Sequence, residues 1–174
     1  MDAKSDGAVS TAPGRVAGKL QVSTPSDREI AMTRAFDSPR NLVFDALTKP
    51  ELIKQWLLGP PGWTMPICAM DLKVGGAYRF VWRGSNAKEM GVRGVFRELV
   101  SPERFVATEQ FDQPWYPGEA LVTNALVEHG GKTTLTLTVR YESKEARDGV
   151  LKTPMDEGVG ANYDRLARLL PSMA

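Results

Sequence analysis

Six strand-like segments follow one another through the middle of the sequence, and they limit the fold more than any other feature. They span residues 63–72, 76–84, 90–99, 104–112, 120–128 and 133–142. Turns such as Gly75-Gly76 and Ser101-Pro102 separate most of them, and only the aromatic loop at 113–118 is longer. Because consecutive strands with short connections pair in opposite directions, the sequence predicts an antiparallel sheet.

The predicted sheet has one covered face and one face in water. Side chains alternate in character along 78–83 and 134–139, with aromatic or aliphatic residues at every second position. Successive side chains of a strand point to opposite faces, so these apolar residues share the covered face. The other face contains the basic residues Arg79, Arg83, Arg93 and Arg97. A solvated surface explains them more simply than an anion-binding site does.

A strand and two short helices precede these segments. Residues 29–36 alternate as a strand, and Lys19–Val22 is a candidate short strand before it. Ser38 is placed to cap the first helix, and Thr48 has capping-box spacing to the second. The run Gly59-Pro60-Pro61-Gly62 ends the second helix. Helices this short need a larger element to pack on.

A longer helix ends the chain and is predicted to cover the sheet. Its apolar residues recur at spacings of three and four, which places them on one helical face: Met155, Val159, Tyr163, Leu166 and Leu170. Arg165 and Arg168 should point away from that face, as should Arg147 on a shorter helix at 142–151. Gly158 and Gly160 allow either close helix–sheet contact or a cavity, and both alternatives stay open.

Composition bounds the domain organisation and the partners. Residues 1–18 are rich in small and polar residues, which predicts a disordered N-terminal tail before one domain at 19–174. A net charge of +1 gives no reason to expect nucleic acid as a partner. The single cysteine, Cys68, excludes an internal disulfide. No apolar run reaches the roughly 18 residues of a membrane span, so we expect a cytoplasmic protein.

Motifs spread over residues 20 to 170 carry a family resemblance. They include Arg34-x-Phe36-Asp37-x-Pro39-Arg40, Gly59-Pro60-Pro61-Gly62-Trp63, Asp71-Leu72-x-x-Gly75-Gly76-x-Tyr78-Arg79-Phe80, Gly94-Val95-Phe96-x-Glu98 and Asp164-Arg165-Leu166-Ala167. The chain resembles AHSA-type proteins, bacterial relatives of the C-terminal domain of the heat-shock-protein-90 ATPase activator. These belong to the START-like, birch-pollen-allergen-like (SRPBCC) superfamily.

The resemblance implies an α+β helix-grip fold. In such a fold a curved antiparallel sheet of about six to seven strands carries two short helices after its first strand. A long C-terminal helix lies over the concave face, and a groove for apolar ligands lies between helix and sheet. Relatives often have Trp at the position of Val159. A smaller residue there would enlarge the groove, unless Trp115 fills the same space.

The sequence contains no recognisable catalytic constellation, and we predict no catalytic residue, metal ligand or cofactor. Its only histidine, His129, precedes Gly130-Gly131 at a hairpin turn, where a solvated side chain is the simpler interpretation. Cys68 lies in a strand between apolar neighbours, which is typical of a buried small residue rather than a reactive thiol. One His and one Cys cannot form a typical zinc site.

Large aromatic and apolar residues are the candidate ligand contacts in the groove. Glu109, a carboxyl residue in the fourth segment, is the polar member of the set. The ten candidates are Trp56, Trp63, Phe80, Trp82, Phe96, Glu109, Trp115, Met155, Val159 and Tyr163. Trp56 and Trp63 are expected at the groove's rim, and Tyr163 would offer a hydroxyl to a ligand. Each could instead belong to the core. If Glu109 faces the groove, desolvation should raise its pKa.

We therefore expect non-catalytic binding of a small apolar or aromatic molecule of a lipid or polyketide kind. One alternative is an enzyme of the cyclase or hydratase kind that uses groove carboxylates. Another is an interaction module that stimulates a chaperone ATPase. The question of catalysis stays open, and so does a homodimer formed through an edge strand or the outer sheet face.

Overall fold

The computed structural model describes residues 19–174, and the tail predicted for residues 1–18 lies outside them. The strands are β1 (Gln21–Ser23), β2 (Glu29–Phe36), β3 (Thr64–Met70), β4 (Ala77–Arg83), β5 (Glu89–Val100), β6 (Arg104–Phe111), β7 (Ala120–His129) and β8 (Lys132–Arg140). The helices are α1 (Arg40–Thr48), α2 (Pro50–Trp56), α3 (Lys144–Leu151) and α4 (Met155–Leu169), with a final 3-10 turn at Leu170–Met173.

One antiparallel sheet contains all the described strands, in the order β1-β2-β8-β7-β6-β5-β4-β3. All six predicted middle strands are confirmed, and so is the helix-grip fold. The sheet has eight strands, one more than the upper end of the predicted range. The strand beyond the range implied by the resemblance is β1, which overlaps the candidate short strand predicted at Lys19–Val22. It spans three residues and pairs with β2 from Gln21 opposite Thr33 to Ser23 opposite Ala31.

The two faces of the sheet differ as predicted. On the outer face, Arg79 donates two hydrogen bonds of 2.5 and 2.7 Å to the carboxylate of Asp112, and Arg93 donates a third of 3.2 Å. The hydrogen bond from Arg79 holds the pKa of Asp112 below its ordinary value. On the inner face, strand register places apolar residues side by side, for example Leu137 opposite Met32.

The expected side-chain caps of α1 and α2 do not form. Helix α1 begins at Arg40, and Ser38 contributes its backbone carbonyl, which accepts a 2.7 Å hydrogen bond from the Thr133 hydroxyl. The Thr48 hydroxyl donates to the carbonyl of Phe44, at 2.7 Å, so it closes the end of α1 instead of capping α2. Threonine near a helix end commonly makes this bond to the fourth residue before it.

Helix α4 lies over the inner face with its predicted apolar side inward. Tyr163, Leu166 and Leu170 are buried. Two arginines predicted to be exposed are not: Arg147 is buried and donates a 2.7 Å hydrogen bond to the Ser26 carbonyl, and Arg165 is partly buried against the loop after α2. Within residues 19–174, no helix combines the length and apolarity needed to cross a membrane.

Candidate functional site

A cavity of about 470 Å³ lies between the inner face of the sheet, α2 and α4. Its walls are mostly aromatic and aliphatic side chains. The structure brings all ten sequence-predicted contact residues to these walls: Trp56, Trp63, Phe80, Trp82, Phe96, Glu109, Trp115, Met155, Val159 and Tyr163. Small-molecule pockets commonly have volumes of about 300–1,000 Å³, so the space suits a compact ligand.

Two indole rings face the cavity with their polar atoms already bonded. The Trp56 N–H donates to the carbonyl of Ala46, at 2.9 Å, and the Trp82 N–H donates to the carbonyl of Leu57, at 2.7 Å. Both rings therefore offer the cavity an apolar surface. Trp56 is only 4% exposed, so its predicted place at the rim is wrong.

The mouth of the cavity has partly exposed residues from three separate segments. Trp63 follows α2 and is half-buried, while Trp115 belongs to the β6–β7 loop and is 43% exposed. Met90 at the start of β5 is 40% exposed. Trp115 contacts Phe111, with ring centroids 5.7 Å apart. Both Trp115 and Val159 line the cavity.

Val159 lies at the middle of the cavity wall formed by α4. It packs against a cluster that contains Tyr163 and against a second cluster that contains Tyr141. A Cβ atom built on the neighbouring Gly158 would meet no described heavy atom within 4 Å, and the same holds for Gly160. Neither glycine therefore makes close helix–sheet contact. Gly158 borders the cavity, as the second interpretation predicts, whereas Gly160 does not line it.

Glu109 places a carboxyl group on the cavity wall. It lies on the inner face of β6, opposite Ala120 of β7, and its Oε1 accepts a 3.0 Å hydrogen bond from the Tyr116 hydroxyl. Burial raises the pKa of Glu109, and the hydrogen bond from Tyr116 opposes that shift with a smaller effect. Part of its surface stays accessible because it faces the cavity. The predicted rise in its pKa is therefore confirmed.

Three tyrosines surround this carboxyl group, and the sequence had not identified them as site residues. The Tyr78 ring crosses β5 at Gly94, and its hydroxyl donates to the carbonyl of Thr108, at 2.6 Å. Tyr116 and Tyr141 contact each other with ring centroids 5.0 Å apart. Burial raises the pKa of all three hydroxyls, and ionisation of Glu109 would raise them further. They are neutral donors at physiological pH.

Two of these tyrosines carried a usable sequence signal, and Tyr78 did so by its alternation with Phe80 and Trp82 along β4. Tyr141 follows β8 at the same alternation as Leu135, Leu137 and Val139, all on the inner face, so the period of two places it on the cavity side. Tyr116 lies in a loop and has no such signal. Asn124 of β7 also lines the cavity and was missed, because a polar residue on an otherwise apolar face resembles a break in the pattern.

A polar contact joins α4 to the loop at the mouth, and we call it the Gly59 clasp. The backbone N–H of Gly59 donates to Oδ1 of Asn162, at 3.0 Å, and the Gly59 carbonyl accepts a 2.6 Å hydrogen bond from Arg165. Arg165 also donates to Asn162, at 2.8 Å. Gly59 has a φ of +74°, which favours glycine.

The two residues considered for other chemistry lie outside the cavity wall. Cys68 is partly buried in β3, and burial raises the pKa of its thiol to about 11, so the thiol is protonated at neutral pH. This agrees with a packing role. His129 ends β7 and is exposed at the hairpin turn.

Comparisons with known proteins agree with the architecture. A family model described as "Activator of Hsp90 ATPase homolog 1-like protein" matches residues 37–171. A solved structure from Rhodobacter sphaeroides has 30% sequence identity and a TM-score of 0.84, over 89% of this chain and 99% of that one. None of the curated proteins matches the chain.

More distant solved structures share the fold. A protein from Nitrosomonas europaea is 24% identical with a TM-score of 0.75, over 86% of this chain and 98% of that one. A protein from Mycobacterium smegmatis is 20% identical with a TM-score of 0.77, over 89% and 99% of the two chains. The chain belongs to the family of activator of Hsp90 ATPase homolog 1-like proteins, within the START-like superfamily.

Proposed function

We propose that the protein binds a small apolar or aromatic molecule in the cavity between the sheet and α4, without catalysing a reaction. The observation that supports this most is the cavity itself, about 470 Å³ in volume and walled by rings such as Trp56 and Phe96. Water in such a space finds few hydrogen-bond partners, so an apolar ligand that displaces it gains binding free energy. The ten predicted contact residues are the proposed binding surface.

The test is a titration with N-phenyl-1-naphthylamine, a neutral probe that fluoresces when it leaves water. We expect a saturable rise in fluorescence with one site per chain. The Val159→Trp variant places a large ring at the middle of the cavity, so we expect its affinity to fall by about tenfold or more. Ala161→Trp is the matched control, because Ala161 is exposed on the same helix.

The two variants separate cavity filling from a general effect of tryptophan on α4. Val159→Trp should keep or raise the melting temperature, since filling a cavity does not require loss of packing. An unsaturable signal in the wild type, or equal affinity in the wild type and Val159→Trp, would contradict the proposed function.

A second candidate is an enzyme of the cyclase or hydratase kind. It is favoured by the position of Glu109, whose carboxyl group faces the cavity and has a raised pKa, as a general acid requires. Loss of turnover of a screened aromatic substrate in Glu109→Gln would support it. Binding of such substrates without any turnover in the wild type would count against it.

A chaperone-stimulating module is the third candidate, and the family description favours it. A pull-down with the heat-shock-protein-90 chaperone of the same cell, together with its ATPase rate, tests this directly. The homodimer and the cytoplasmic location stay predictions from the sequence.

A further inference from the structure

The part of the cavity around Glu109 and Tyr141, which we call its inner end, contains polar atoms whose hydrogen bonds are incomplete. Glu109 accepts one hydrogen bond, from Tyr116 to Oε1, and within residues 19–174 its other oxygen has none. Tyr141 is only 3% exposed and lines the cavity, and its hydroxyl has no partner among the described residues. Among residues 19–174 the fully buried side-chain atoms without a partner belong to Arg34 and Arg40, so the Glu109 oxygen and the Tyr141 hydroxyl keep accessible surface. A ligand atom in the cavity can therefore form hydrogen bonds with both groups.

The surroundings of Glu109 favour the neutral acid. The groups that face it from neighbouring elements are hydroxyls: Tyr78 from β4, Tyr116 from the β6–β7 loop and Tyr141 after β8. The α4 residues in this cluster, Met155 and Val159, are apolar, as is Ala120 on β7. None of the described charged side chains contributes to the shift of its pKa, which burial raises.

The bond from Tyr116 then decides which oxygen carries the proton. Its hydroxyl donates to Oε1, so in the neutral acid Oε1 is the accepting oxygen and the proton resides on Oε2. That proton is free to be donated toward the cavity. Tyr141 lines the same cavity, with its ring centroid 5.0 Å from that of Tyr116, and its hydroxyl is a second neutral donor. Two donors next to each other suit one strong acceptor.

We propose that the inner end of the cavity binds the carbonyl oxygen of a flat apolar ketone, with Glu109 and Tyr141 as hydrogen-bond donors. This inference rests on the proposed function. The ligand class is then an aromatic ketone, whose rings contact the apolar walls while its oxygen reaches the inner end. An amine is the competing ligand, because it would pair with an ionised Glu109. That pair would have to offset the desolvation of two charges.

Three probes of similar shape test this: 9-fluorenone, fluorene and 9-aminofluorene, whose benzylic amine is protonated at neutral pH. Fluorenone differs from fluorene by a carbonyl group in place of a methylene group. We expect fluorenone to bind about tenfold more tightly than fluorene by calorimetry, as one or two hydrogen bonds allow. Its carbonyl stretch should move to lower wavenumber in the infrared spectrum when it binds.

Two substitutions at Glu109 distinguish a donor from a charge. Glu109→Gln keeps an acceptor for Tyr116 and a donor toward the cavity, so it should retain the preference for fluorenone. Glu109→Leu should lose the preference for fluorenone and the infrared shift but still bind fluorene. Its binding of fluorene would show that the variant is folded. Tyr141→Phe should lose part of both effects.

Each contrary result has a distinct meaning. Equal affinity of the wild type for fluorenone and fluorene would overturn the donor site and leave the proposed function standing. Tightest binding of 9-aminofluorene, abolished in Glu109→Gln, would overturn the donor site in favour of an ionised carboxylate. Failure of all three probes to bind would contradict the proposed function and this inference together.

Discussion

Asn162 on α4 accepts a 3.0 Å hydrogen bond from the backbone N–H of Gly59, which ties the covering helix to the loop at the mouth of the cavity. Arg165 completes the Gly59 clasp through the carbonyl of the same residue. Both Gly59 and Asn162 line the cavity, so a ligand that enters at this point has to pass between groups that the clasp holds together.

The first prediction concerns this clasp. Asn162→Ala removes the acceptor for the Gly59 N–H and a partner of Arg165, so the free energy of unfolding should fall by about 1 kcal/mol. The probe N-phenyl-1-naphthylamine should dissociate faster, as measured by stopped-flow fluorescence. Arg168→Met on the exposed side of α4 is the control and should change neither quantity. A dissociation rate equal to that of the wild type would show that the clasp does not limit exit.

The second prediction compares two glycines. A Cβ atom on Gly94 would overlap the Thr108 carbonyl oxygen and lie 2.5 Å from Cε1 of Tyr78, so Gly94→Ala should lower the free energy of unfolding by about 2 kcal/mol or more. Gly158→Ala places its Cβ in open space within a helix and should raise stability by about 0.5–1 kcal/mol. Urea unfolding measures both. Similar effects of the two substitutions would contradict the packing of Tyr78 over β5.

The third prediction is a pH dependence. Burial raises the pKa of Glu109 above its ordinary value of 4.5, so the folded protein holds this proton more tightly than the unfolded chain. Stability from the neutral acid is fully present below that value and is lost as pH rises through the folded-state pKa. The wild type should therefore lose stability relative to Glu109→Gln from about pH 4.5 upward, and the difference should become constant above the raised pKa.

Urea unfolding of the two proteins at a series of pH values measures this difference, and the other titrating groups largely cancel between them. A carboxylate stabilised by a cation gives the opposite sign, because its pKa falls on folding. If the wild type gained stability relative to Glu109→Gln with rising pH, the inference that Glu109 is a neutral acid in the folded protein would be wrong.

Much of the fold and the wall of the cavity could be predicted because both depend on short-range periodicity. The strand period of two places Phe80 and Trp82 on one face of the sheet and Arg79 on the other. The helical period places Val159 and Tyr163 on one face of α4. When one strand face and one helix face must meet, their residues enclose the same space. The ten predicted residues therefore border one cavity, although periodicity alone could not show whether the space was filled.

The remaining features depend on contacts between residues far apart in the sequence. The Gly59 clasp joins α4 to a loop more than 100 residues earlier, and Arg147 is buried because it reaches the Ser26 carbonyl. The bond from Tyr116 to Glu109 depends on how the β6–β7 loop folds back over β6. No local pattern encodes such pairings. The expected caps do not form because both residues bond elsewhere. The Ser38 carbonyl accepts a hydrogen bond from the distant Thr133 hydroxyl, and the Thr48 hydroxyl donates to the carbonyl of Phe44, four residues before it.

Native mass spectrometry of the protein purified from its own host tests the central claim most directly, because it shows whether the cavity holds a molecule. We expect a species heavier than the bare chain by one small molecule, which dissociates on collisional activation. The Val159→Trp variant purified in the same way should have the bare mass, while Ala161→Trp should resemble the wild type. A wild-type protein that has only its bare mass and gains none when fluorene or fluorenone is added would contradict the account.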